Sequence, residues 1–250
     1  MKAAVAEVDL RRMAALLRGA RRVAVLTGAG ISVPSGIPDF RSRDGLYADP
    51  ENLGIFEIGE FLRRPERFFR FAARFYPLLL NARPNPAHRE IARWEQFAEV
   101  AVITQNIDDL HEQAGSRRVY HLHGDYRTSR CLRCGRVRPT AELLEQIALG
   151  YVARCDCGGV MKPEIVFFGE MLPEAAWRAA EKAMAEADVV VVVGTSLAVY
   201  PAAMLPRLRN PAARVIVVNR EPTVLDEEAA VTVRGDVADV FSGLQRLLAG

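Results

Sequence analysis

Four cysteines are spaced as ligands of a single metal ion. They form a C-x-x-C pair and a C-x-C pair with twenty residues between them, at Cys131, Cys134, Cys155 and Cys157. Two close pairs separated in this way are typical of a zinc ribbon. Four thiolates fill a tetrahedral site, so the zinc ion would be structural rather than catalytic. Disulfides are the alternative, and they are disfavoured because the N-terminal residues do not form a signal peptide.

Residues 23–30, VAVLTGAG, are typical of a strand that ends at a phosphate-binding loop. An apolar run ends at Thr27 and passes into Gly28-Ala29-Gly30, where backbone N–H groups can bind a pyrophosphate. A dehydrogenase would add a third glycine and, about 20 residues further on, an acidic residue after a second strand. Val33 occupies that glycine position. We therefore expect a nucleotide site that does not support hydride transfer.

Small and polar residues also follow the later apolar runs. The carboxyl ends of parallel strands meet at one edge of a sheet, so these residues are expected to line one crevice. His121 and His123 would share a face because side chains alternate along a strand. His88 and His111 lie in helical contexts, and we interpret them as structural. The residues expected at the crevice are Gln105, Asn106, Ile107, Asp108, His123, Gly194, Thr195, Ser196, Asn219 and Asp236.

The elements that position these groups alternate between apolar strands and amphipathic helices. Continuous apolar runs are typical of parallel strands that are buried on both faces. Between them lie helical segments such as 173–187, where Trp177, Ala180 and Met184 recur at helical spacing. This alternation predicts an α/β fold with a Rossmann-like, doubly wound parallel sheet. The predicted strands are Val23–Leu26, Val100–Ile103, Ile165–Phe168, Val189–Val193, Val215–Val218 and Val231–Val233.

Two segments interrupt the alternation and predict a smaller lobe. Residues 41–85 form a helical insertion rich in phenylalanine and arginine, and residues 128–162 carry the zinc ribbon. We expect one catalytic domain, with the substrate cleft between the two lobes. The larger, Rossmann-like lobe of this 1–250 domain would comprise residues 1–40, 86–127 and 163–250.

Composition excludes several classes of partner. The 250 residues carry a formal net charge of +2, so no nucleic-acid partner is expected. No apolar run reaches transmembrane length, so no membrane partner is expected. The N-terminal residues Leu10, Met13, Leu16 and Leu17 predict an amphipathic helix. We expect a cytoplasmic monomer.

In its motifs the chain resembles the sirtuins, which are NAD-dependent protein-lysine deacylases, over nearly its full length. The matching segments, in chain order, are GAGISVPSGIPDFRS, TQNIDDLHEQAG, HLHGD, the two cysteine pairs, KPEIVFFGE, GTSLAVYPAA and VNRE. The resemblance implies that NAD is consumed as a co-substrate. The acyl-lysine carbonyl oxygen would attack C1′ of the nicotinamide ribose and expel nicotinamide. Water would complete the reaction, which releases O-acyl-ADP-ribose and free lysine.

The resemblance also implies roles for individual residues. His123 would be the general base on a ribose hydroxyl, a role that suits an imidazole with an ordinary pKa of about 6.5. Asn106 would be the second catalytic residue and, with Asp108, would position the ribose. The further cofactor-binding residues would be Gly28, Ala29, Gly30, Ser32, Asp39, Phe40, Arg41, Gln105, Ile107, Gly194, Thr195, Ser196, Asn219, Asp236 and Val237.

The acyl-lysine substrate would be an extended segment of a protein, paired as an added strand between residues 168–170 and the segment after Thr195. The residues CDCGG and FY make the chain most similar to class III sirtuins. In that branch a tyrosine, and an arginine three positions later, bind the carboxylate of succinyl or malonyl groups. The substrate-binding residues implied are Tyr76, Leu79, Val166, Phe167, Phe168, Gly169 and Glu170.

Tyr76 matches the class III tyrosine, but Leu79 stands where the arginine would be. Without the guanidinium, binding of a buried acyl carboxylate is less favourable by several kcal/mol, because the charge is left unpaired. We therefore expect chiefly a deacetylase, and a class III desuccinylase or demalonylase is the alternative. A sirtuin-fold protein ADP-ribosyltransferase and an NAD-sensing binding module are further alternatives, disfavoured by the intact Asn106, Asp108 and His123. Asp125, where relatives carry an uncharged residue, either raises the pKa of His123 or faces solvent, and we favour solvent.

Overall fold

The computed structural model describes residues 6–249. The strands are β1 (Arg22–Thr27), β2 (Glu99–Thr104), β3 (Val119–His121), β4 (Gly124–Cys131), β5 (Val137–Pro139), β6 (Met161–Ile165), β7 (Val189–Val193), β8 (Arg214–Val218) and β9 (Val231–Val233). The α-helices are α1 (Glu7–Arg18), α2 (Ile58–Arg63), α3 (Pro65–Asn81), α4 (Pro86–Arg93), α5 (Leu110–Gln113), α6 (Leu144–Ala148), α7 (Glu174–Glu186) and α8 (Val237–Ala249).

A six-stranded parallel sheet forms the centre of the larger part of the molecule. Its strand order is β3-β2-β1-β7-β8-β9. Alternate side chains of β1 pack into two different hydrophobic clusters, one with α1, α4 and α8 and the other with α7. Helices therefore cover both faces of the sheet, which explains the continuous apolar runs in the sequence. The predicted doubly wound α/β fold is confirmed.

The strand order reverses between β1 and β7. The chain adds β2 and β3 on one side of β1 and then continues on the other side with β7. In such sheets the loops at the reversal separate and leave a crevice for a ligand. Register aligns the strand ends here, because Thr27 pairs with Thr104 on one side and with Val193 on the other. The loops that follow these three strands are thereby adjacent.

The prediction of a parallel strand at Ile165–Phe168 is wrong. The strand in this region is β6, which ends at Ile165 and belongs to a separate antiparallel sheet of order β5-β4-β6. The sixth strand of the parallel sheet is instead the short β3, which precedes His123. An apolar run by itself does not distinguish a parallel strand from a segment buried in another cluster.

The helical insertion and the zinc-ribbon segment share one hydrophobic cluster. Phenylalanines of α2 and α3 form edge-to-face pairs, for example Phe61 with Phe68 at 5.4 Å between ring centroids. The same cluster takes in Cys131, Ile147 and Met161. Strands β4 and β6 extend across the predicted lobe boundaries, so we propose that the junction between lobes lies at Gly124 and Ile165.

Two helices predicted from periodicity are confirmed. In α1, Leu10, Met13 and Leu17 are buried against the sheet, and in α7, Ala180 and Met184 are buried. Burial at this spacing is the arrangement that an amphipathic helix predicts. Within residues 6–249, none of the helices has the length and apolar character required to cross a membrane.

Gly124 joins the two sheets and cannot carry a side chain. Its φ is +66°, and a Cβ there would lie 2.0 Å from the carbonyl oxygen of Glu164. We expect Gly124→Ala to lower the free energy of unfolding by about 3 kcal/mol, because left-handed strain adds to a backbone clash. Gly135→Ala is the control, since its φ is +74° in open space, and it should cost about 1 kcal/mol. Urea unfolding measures both, and equal losses would contradict the clash.

Candidate active site

The loops after β1 and β7 are in direct backbone contact. Gly30 N–H donates to the Gly194 carbonyl at 2.8 Å, and Gly28 N–H donates to the Val193 carbonyl at 3.0 Å. A Cβ on Gly194 would lie 2.4 Å from the backbone nitrogen of Ile31, and the φ of Gly194 is +61°. Glycine at these positions therefore brings two loops together at the point where the strand order reverses.

This contact decides which backbone N–H groups remain for an anion. Of the expected loop Gly28-Ala29-Gly30, both glycine N–H groups are already bonded within the protein. Within residues 6–249, no backbone or side-chain acceptor is paired with the N–H groups of Ala29, Thr195 and Ser196. These three groups lie on the two loops that meet at the reversal. Unpaired backbone N–H groups on adjacent loops are the kind of group that binds a pyrophosphate.

The segment after β2 is fixed to the cofactor loop by buried side chains. Asn106 Nδ2 donates to the Gly28 carbonyl at 3.3 Å and to Ser32 Oγ at 3.1 Å. Ser32 Oγ donates in turn to Asp108 Oδ2 at 2.8 Å. Burial raises the pKa of Asp108, while the Ser32 hydroxyl and the Leu110 N–H oppose that shift. The structure thus brings together three predicted residues from two strand ends.

Gln105 joins three strands at this edge. Its backbone N–H donates to the Thr27 carbonyl at 2.9 Å, and its side-chain Nε2 donates to Thr195 Oγ1 at 3.1 Å. The next residue but one, Ile107, is half-buried and packs against the aromatic cluster of the small lobe. Residues 105–108 therefore connect β1, β2 and β7 to the small lobe.

His123 lies in the turn between β3 and β4 with a fixed tautomer. Its Nδ1 lies 2.8 Å from the Gln105 carbonyl oxygen, which can only accept, so Nδ1 carries the proton. Nε2 then holds the lone pair, and within residues 6–249 it has no hydrogen-bond partner. Burial lowers the pKa of His123, while the Gln105 carbonyl opposes that shift. The ring is therefore a neutral base with one free nitrogen.

Three other side chains considered in the sequence analysis, those of His88, His111 and Asp125, are held by neighbouring protein groups. His88 and His111 are buried with ring centroids 4.8 Å apart, and His111 Nε2 lies 3.1 Å from Thr27 Oγ1. Burial lowers the pKa of His88 to about 3 and also lowers that of His111. Asp125 is partly buried and pairs with Arg127 at 2.7 Å rather than with His123. The structural interpretation of both histidines is confirmed, and the expectation that Asp125 simply faces solvent is wrong.

The arm that follows the cofactor loop is organised by its own backbone. Asp39 Oδ1 accepts the N–H groups of Arg41 and Ser42 at 3.1 and 2.8 Å, so this carboxylate shapes the turn. The Phe40 ring packs against Tyr47 and Phe56, and it stays partly exposed. The Arg41 guanidinium donates to Ser196 Oγ at 3.3 Å. The arm thus reaches across to the loop after β7.

The residues at the far end of the crevice lie after β8 and β9. Asn219 continues the edge beyond β8 through its N–H bond to the Val233 carbonyl at 3.3 Å. Asp236 caps α8 by accepting the Ala238 N–H at 2.9 Å and forms an ion pair with Arg220 at 2.5 Å. Val237, the first residue of α8, is buried. These residues extend the same edge away from His123.

The predicted acyl-binding residues lie on one face of α3. Tyr76 and Leu79 are both buried, and the Tyr76 ring contacts the Tyr126 ring edge to face at 5.9 Å. Burial strongly raises the pKa of Tyr76, so its hydroxyl stays protonated. Within residues 6–249 neither Arg74 nor Arg83 forms an ion pair. The Tyr76 and Leu79 surface is uncharged.

The segment 166–170 has fewer unpaired backbone N–H and carbonyl groups than expected. The N–H and carbonyl groups of Phe168 are paired with the Phe56 carbonyl and the Ile58 N–H. Phe167 is buried, and its N–H donates to the Glu170 carboxylate at 2.8 Å. Val166 N–H donates to the His123 carbonyl at 2.8 Å. The edge left for an added strand therefore centres on Gly169 rather than on Phe168.

The four cysteines form one cluster that fits zinc. Their Sγ atoms all lie within 4.8 Å of one another, with Cys131 and Cys157 at 3.5 Å and Cys134 and Cys155 at 3.8 Å. Disulfides would require about 2.05 Å, whereas thiolates at about 2.3 Å from a tetrahedral zinc lie roughly 3.8 Å apart. The backbone N–H groups of Arg133 and Cys134 lie 3.4 and 3.5 Å from the Cys131 sulfur, where they favour a thiolate.

Comparison with known proteins gives the family. The Sir2 family profile matches residues 28–201, which include the cofactor loop, His123 and all four cysteines. The chain belongs to the Sir2 family. An NAD-dependent protein deacylase of Mycobacterium tuberculosis (strain ATCC 25177 / H37Ra) is 48% identical to this Sir2 chain over 229 residues, which cover 89% of this chain and 96% of the relative.

Other relatives and solved structures agree. The NAD-dependent protein deacylase 2 of Pyrobaculum aerophilum is 42% identical over 93% of both chains. A solved Sir2 enzyme superimposes with a TM-score of 0.88 at 41% identity, covering 97% of this chain and all of the other. A Sir2 protein solved with a p53 peptide and NAD+ has a TM-score of 0.86 at 38% identity, with 96% and 97% of the two chains covered.

The sequence analysis gave no role to Glu112 or Lys162, and the structure pairs each of them with a residue that it had singled out. Glu112 forms a 2.8 Å contact with His121, and Lys162 Nζ lies 2.9 Å from Glu170 Oε2. Both pairs join different elements, so no spacing along the chain indicates them. By contrast, the alternation of side chains along a strand did indicate that His121 and His123 share a face, and both contact residues 105–106.

Loss of one thiolate should release the zinc. We expect one zinc per chain in the wild type and less than half of that in Cys155→Ser, with a free energy of unfolding lower by several kcal/mol. Asp156→Asn changes an exposed residue between two ligands and should keep full zinc content. Elemental analysis of the purified proteins measures the metal. Full zinc in Cys155→Ser would show that the cluster is not the binding site.

Proposed function

We propose that this Sir2-family chain, an NAD-dependent protein deacylase, acts chiefly as a deacetylase with His123 as its general base. The geometry of His123 is the observation that carries the proposal. Its Nδ1–H is held by the carbonyl of Gln105, in the segment that also carries Asn106 and Asp108, and its Nε2 is free. Relatives that are 42–48% identical carry the name NAD-dependent protein deacylase.

His123 would accept a proton at Nε2 from a ribose hydroxyl. The Gln105 carbonyl holds Nδ1–H before and after this transfer, so the ring keeps its orientation as its charge changes. Its lowered pKa keeps the imidazole unprotonated near neutral pH. A base with its pKa somewhat below working pH is present almost entirely in its active form.

Asn106, Asp108 and Ser32 would bind the nicotinamide end of NAD. Their hydrogen-bond chain fixes two side chains of the segment after β2 against the cofactor loop. NAD supplies the ribose carbon at which the acyl oxygen displaces nicotinamide. Preorganised polar groups stabilise charge that develops there without reorganising during the reaction. Phe40 and Arg41 on the arm would exclude water from the same end.

The unpaired backbone N–H groups after β1 and β7 would bind the pyrophosphate. The free N–H groups of Ala29, Thr195 and Ser196 support this assignment, and Gly28, Gly30 and Gly194 permit the close contact of the two loops. Asp39 would act indirectly by shaping the arm. The adenosine half would lie along the edge formed by Asn219, Asp236 and Val237.

The acyl-lysine peptide would pair between Gly169 and the segment after Thr195. Extended peptides gain main-chain hydrogen bonds when they add to a free edge. A Sir2 protein has been solved with a propionylated peptide, at 38% identity and a TM-score of 0.83 over 96% of this chain. Val166, Phe167 and Glu170 would support Gly169, because they hold this segment in place.

We also propose that the enzyme is cytoplasmic and monomeric, and light scattering would test its mass.

The acyl preference rests on Tyr76 and Leu79. Both side chains are buried and uncharged, so they would accommodate a neutral acyl chain and exclude a carboxylate that has no cationic partner. A Sir2 variant with histidine replaced by alanine has been solved with a deacetylated p53 peptide and 3′-O-acetyl ADP-ribose, at 38% identity and a TM-score of 0.88. A deacetylated peptide and an acetylated ADP-ribose are the products that deacetylation would give, which supports the proposed preference for acetyl groups.

His123→Ala should separate the two halves of the reaction. We expect NAD-dependent deacetylation to fall by roughly 10²–10⁴-fold, while nicotinamide exchange persists because the base acts after nicotinamide leaves. In the wild type, activity should fall as pH decreases through the pKa of His123, which lies below its ordinary 6.5. Mass spectrometry of peptide and acyl-ADP-ribose measures turnover. Equal loss of exchange and deacetylation would contradict this role.

Leu79→Arg should shift the acyl preference. A guanidinium beside Tyr76 could pair with a succinyl carboxylate, so the succinyl-to-acetyl ratio of kcat/KM should rise at least about tenfold. Leu80→Arg on the exposed side of the same helix is the matched control and should leave the ratio unchanged. Leu79→Met tests whether the pocket tolerates substitution. Comparable succinyl and acetyl turnover in the wild type would overturn the preference.

A further inference from the structure

His121 contacts only acceptors through its two ring nitrogens. Nδ1 lies 3.2 Å from the Asn106 carbonyl oxygen, and Nε2 lies 2.8 Å from Glu112 Oε1. A carbonyl oxygen cannot donate, so Nδ1 must carry a proton. A neutral ring would then direct its Nε2 lone pair at a carboxylate oxygen, which is repulsive unless one of the two is protonated. Protonation of both ring nitrogens satisfies both contacts and gives an imidazolium–carboxylate pair.

The surroundings of Glu112 favour the ion pair. Its Oε2 is buried without a hydrogen-bond partner within residues 6–249, and Arg127 approaches Oε1 only to 3.8 Å. A carboxylate in this position requires a close cation, and His121 supplies it. Burial by itself would lower the pKa of His121, but the hydrogen bond and charge of Glu112 raise it overall; the same contact lowers the pKa of Glu112 against the effect of burial.

The other charges near His121 come from three elements. Asp108 follows β2, His111 belongs to α5 and Asp125 belongs to β4. The two carboxylates favour the charged imidazole, and His111 stays neutral because burial lowers its pKa. From α7, which packs against β3, the buried side chains Ala180 and Met184 are apolar.

His121 and His123 hold consecutive carbonyl groups of one segment. His123 binds the Gln105 carbonyl at 2.8 Å, and His121 binds the Asn106 carbonyl at 3.2 Å. The Asn106 N–H is held by Thr104 Oγ1 at 3.0 Å. With its N–H and its carbonyl both fixed, the Asn106 backbone keeps the orientation from which its side chain reaches Gly28 and Ser32. Release of the carbonyl would allow the peptide after Asn106 to rotate and would disturb Asp108 two residues later.

We propose that His121 is a positioning residue, which remains doubly protonated against Glu112 and holds the Asn106 carbonyl so that Asn106 and Asp108 keep their orientation in the active site. This inference rests on the proposed function. It separates the roles of the two histidines, because His123 works as a neutral base and His121 works as a cation.

The two roles predict the two limbs of the pH–rate profile. Below the lowered pKa of His123 the base is protonated, and activity is lost as pH falls. Above the raised pKa of His121 the cation is lost, and activity falls as pH rises. The acid limb thus reports His123, and the alkaline limb reports His121.

The test compares Glu112→Gln, His121→Gln and His121→Leu in the full chain. Glu112→Gln removes the charge that stabilises the imidazolium, so the alkaline limb of kcat should move to lower pH. His121→Gln can still donate to the Asn106 carbonyl but does not titrate, so the alkaline limb should disappear and kcat should fall on the order of tenfold. His121→Leu, which cannot donate, should be less active than His121→Gln. Glu142→Gln, which breaks a pair with Arg138 of the same 2.8 Å length, should leave both limbs unchanged.

Nitrogen NMR of histidine-labelled protein provides a readout that is independent of activity. Both His121 nitrogens should be protonated at neutral pH in the wild type, and Glu112→Gln should lower the pKa of His121. The positioning role alone would be overturned if NMR showed a neutral His121. It would also be overturned if Glu112→Gln were active and kept the alkaline limb at the wild-type pH. A wild type that lacks NAD-dependent deacylation would overturn the proposed function together with it.

Discussion

The hydrogen bond between Gly30 N–H and the Gly194 carbonyl is the contact on which the site depends. It joins the loops after β1 and β7 at the reversal of strand order, where an open α/β sheet would otherwise leave two separate loops. Because both glycines lack a side chain, the two backbones approach within contact distance. The bond also uses the N–H group of Gly30, and Gly28 N–H is paired with the Val193 carbonyl, so the unpaired N–H groups of these loops are those of Ala29, Thr195 and Ser196.

From this contact the polar network extends through buried side chains. Asn106, Ser32 and Asp108 are almost completely buried, and each has a hydrogen-bond partner in the network. Satisfied buried polar groups fix a single arrangement, whereas unsatisfied ones cost free energy. His121, the last residue of β3, and His123, two residues later, contact the same segment by holding successive carbonyl groups. These bonds hold the segment after β2 in one arrangement, as electrostatic preorganisation requires.

The small lobe is joined to the strand that precedes His123 through Gly124. The chain leaves the parallel sheet at His123, turns through Gly124 and enters the antiparallel sheet that leads to the cysteine cluster. The aromatic cluster of α2 and α3 packs along that sheet as far as Cys131 and Met161, and a zinc ion held by the four cysteines would stabilise the far end. Zinc bound there would support the position of His123 through the fold, without contact with the reacting groups.

The sequence by itself determined the doubly wound α/β fold, the cysteine cluster and most residues of the crevice. These follow from local patterns: apolar runs, ligand spacing and the rule that strand ends meet at one edge. Tertiary structure alone decided that β6 belongs to the small sheet, that Phe168 has no free backbone groups, and that Glu112 lies beside His121. Each of these depends on which elements become neighbours, and a pairing between distant segments leaves no periodic signal along the chain. Family membership was evident from the order of motifs, whereas the protonation of each histidine required knowledge of which acceptor each ring nitrogen meets.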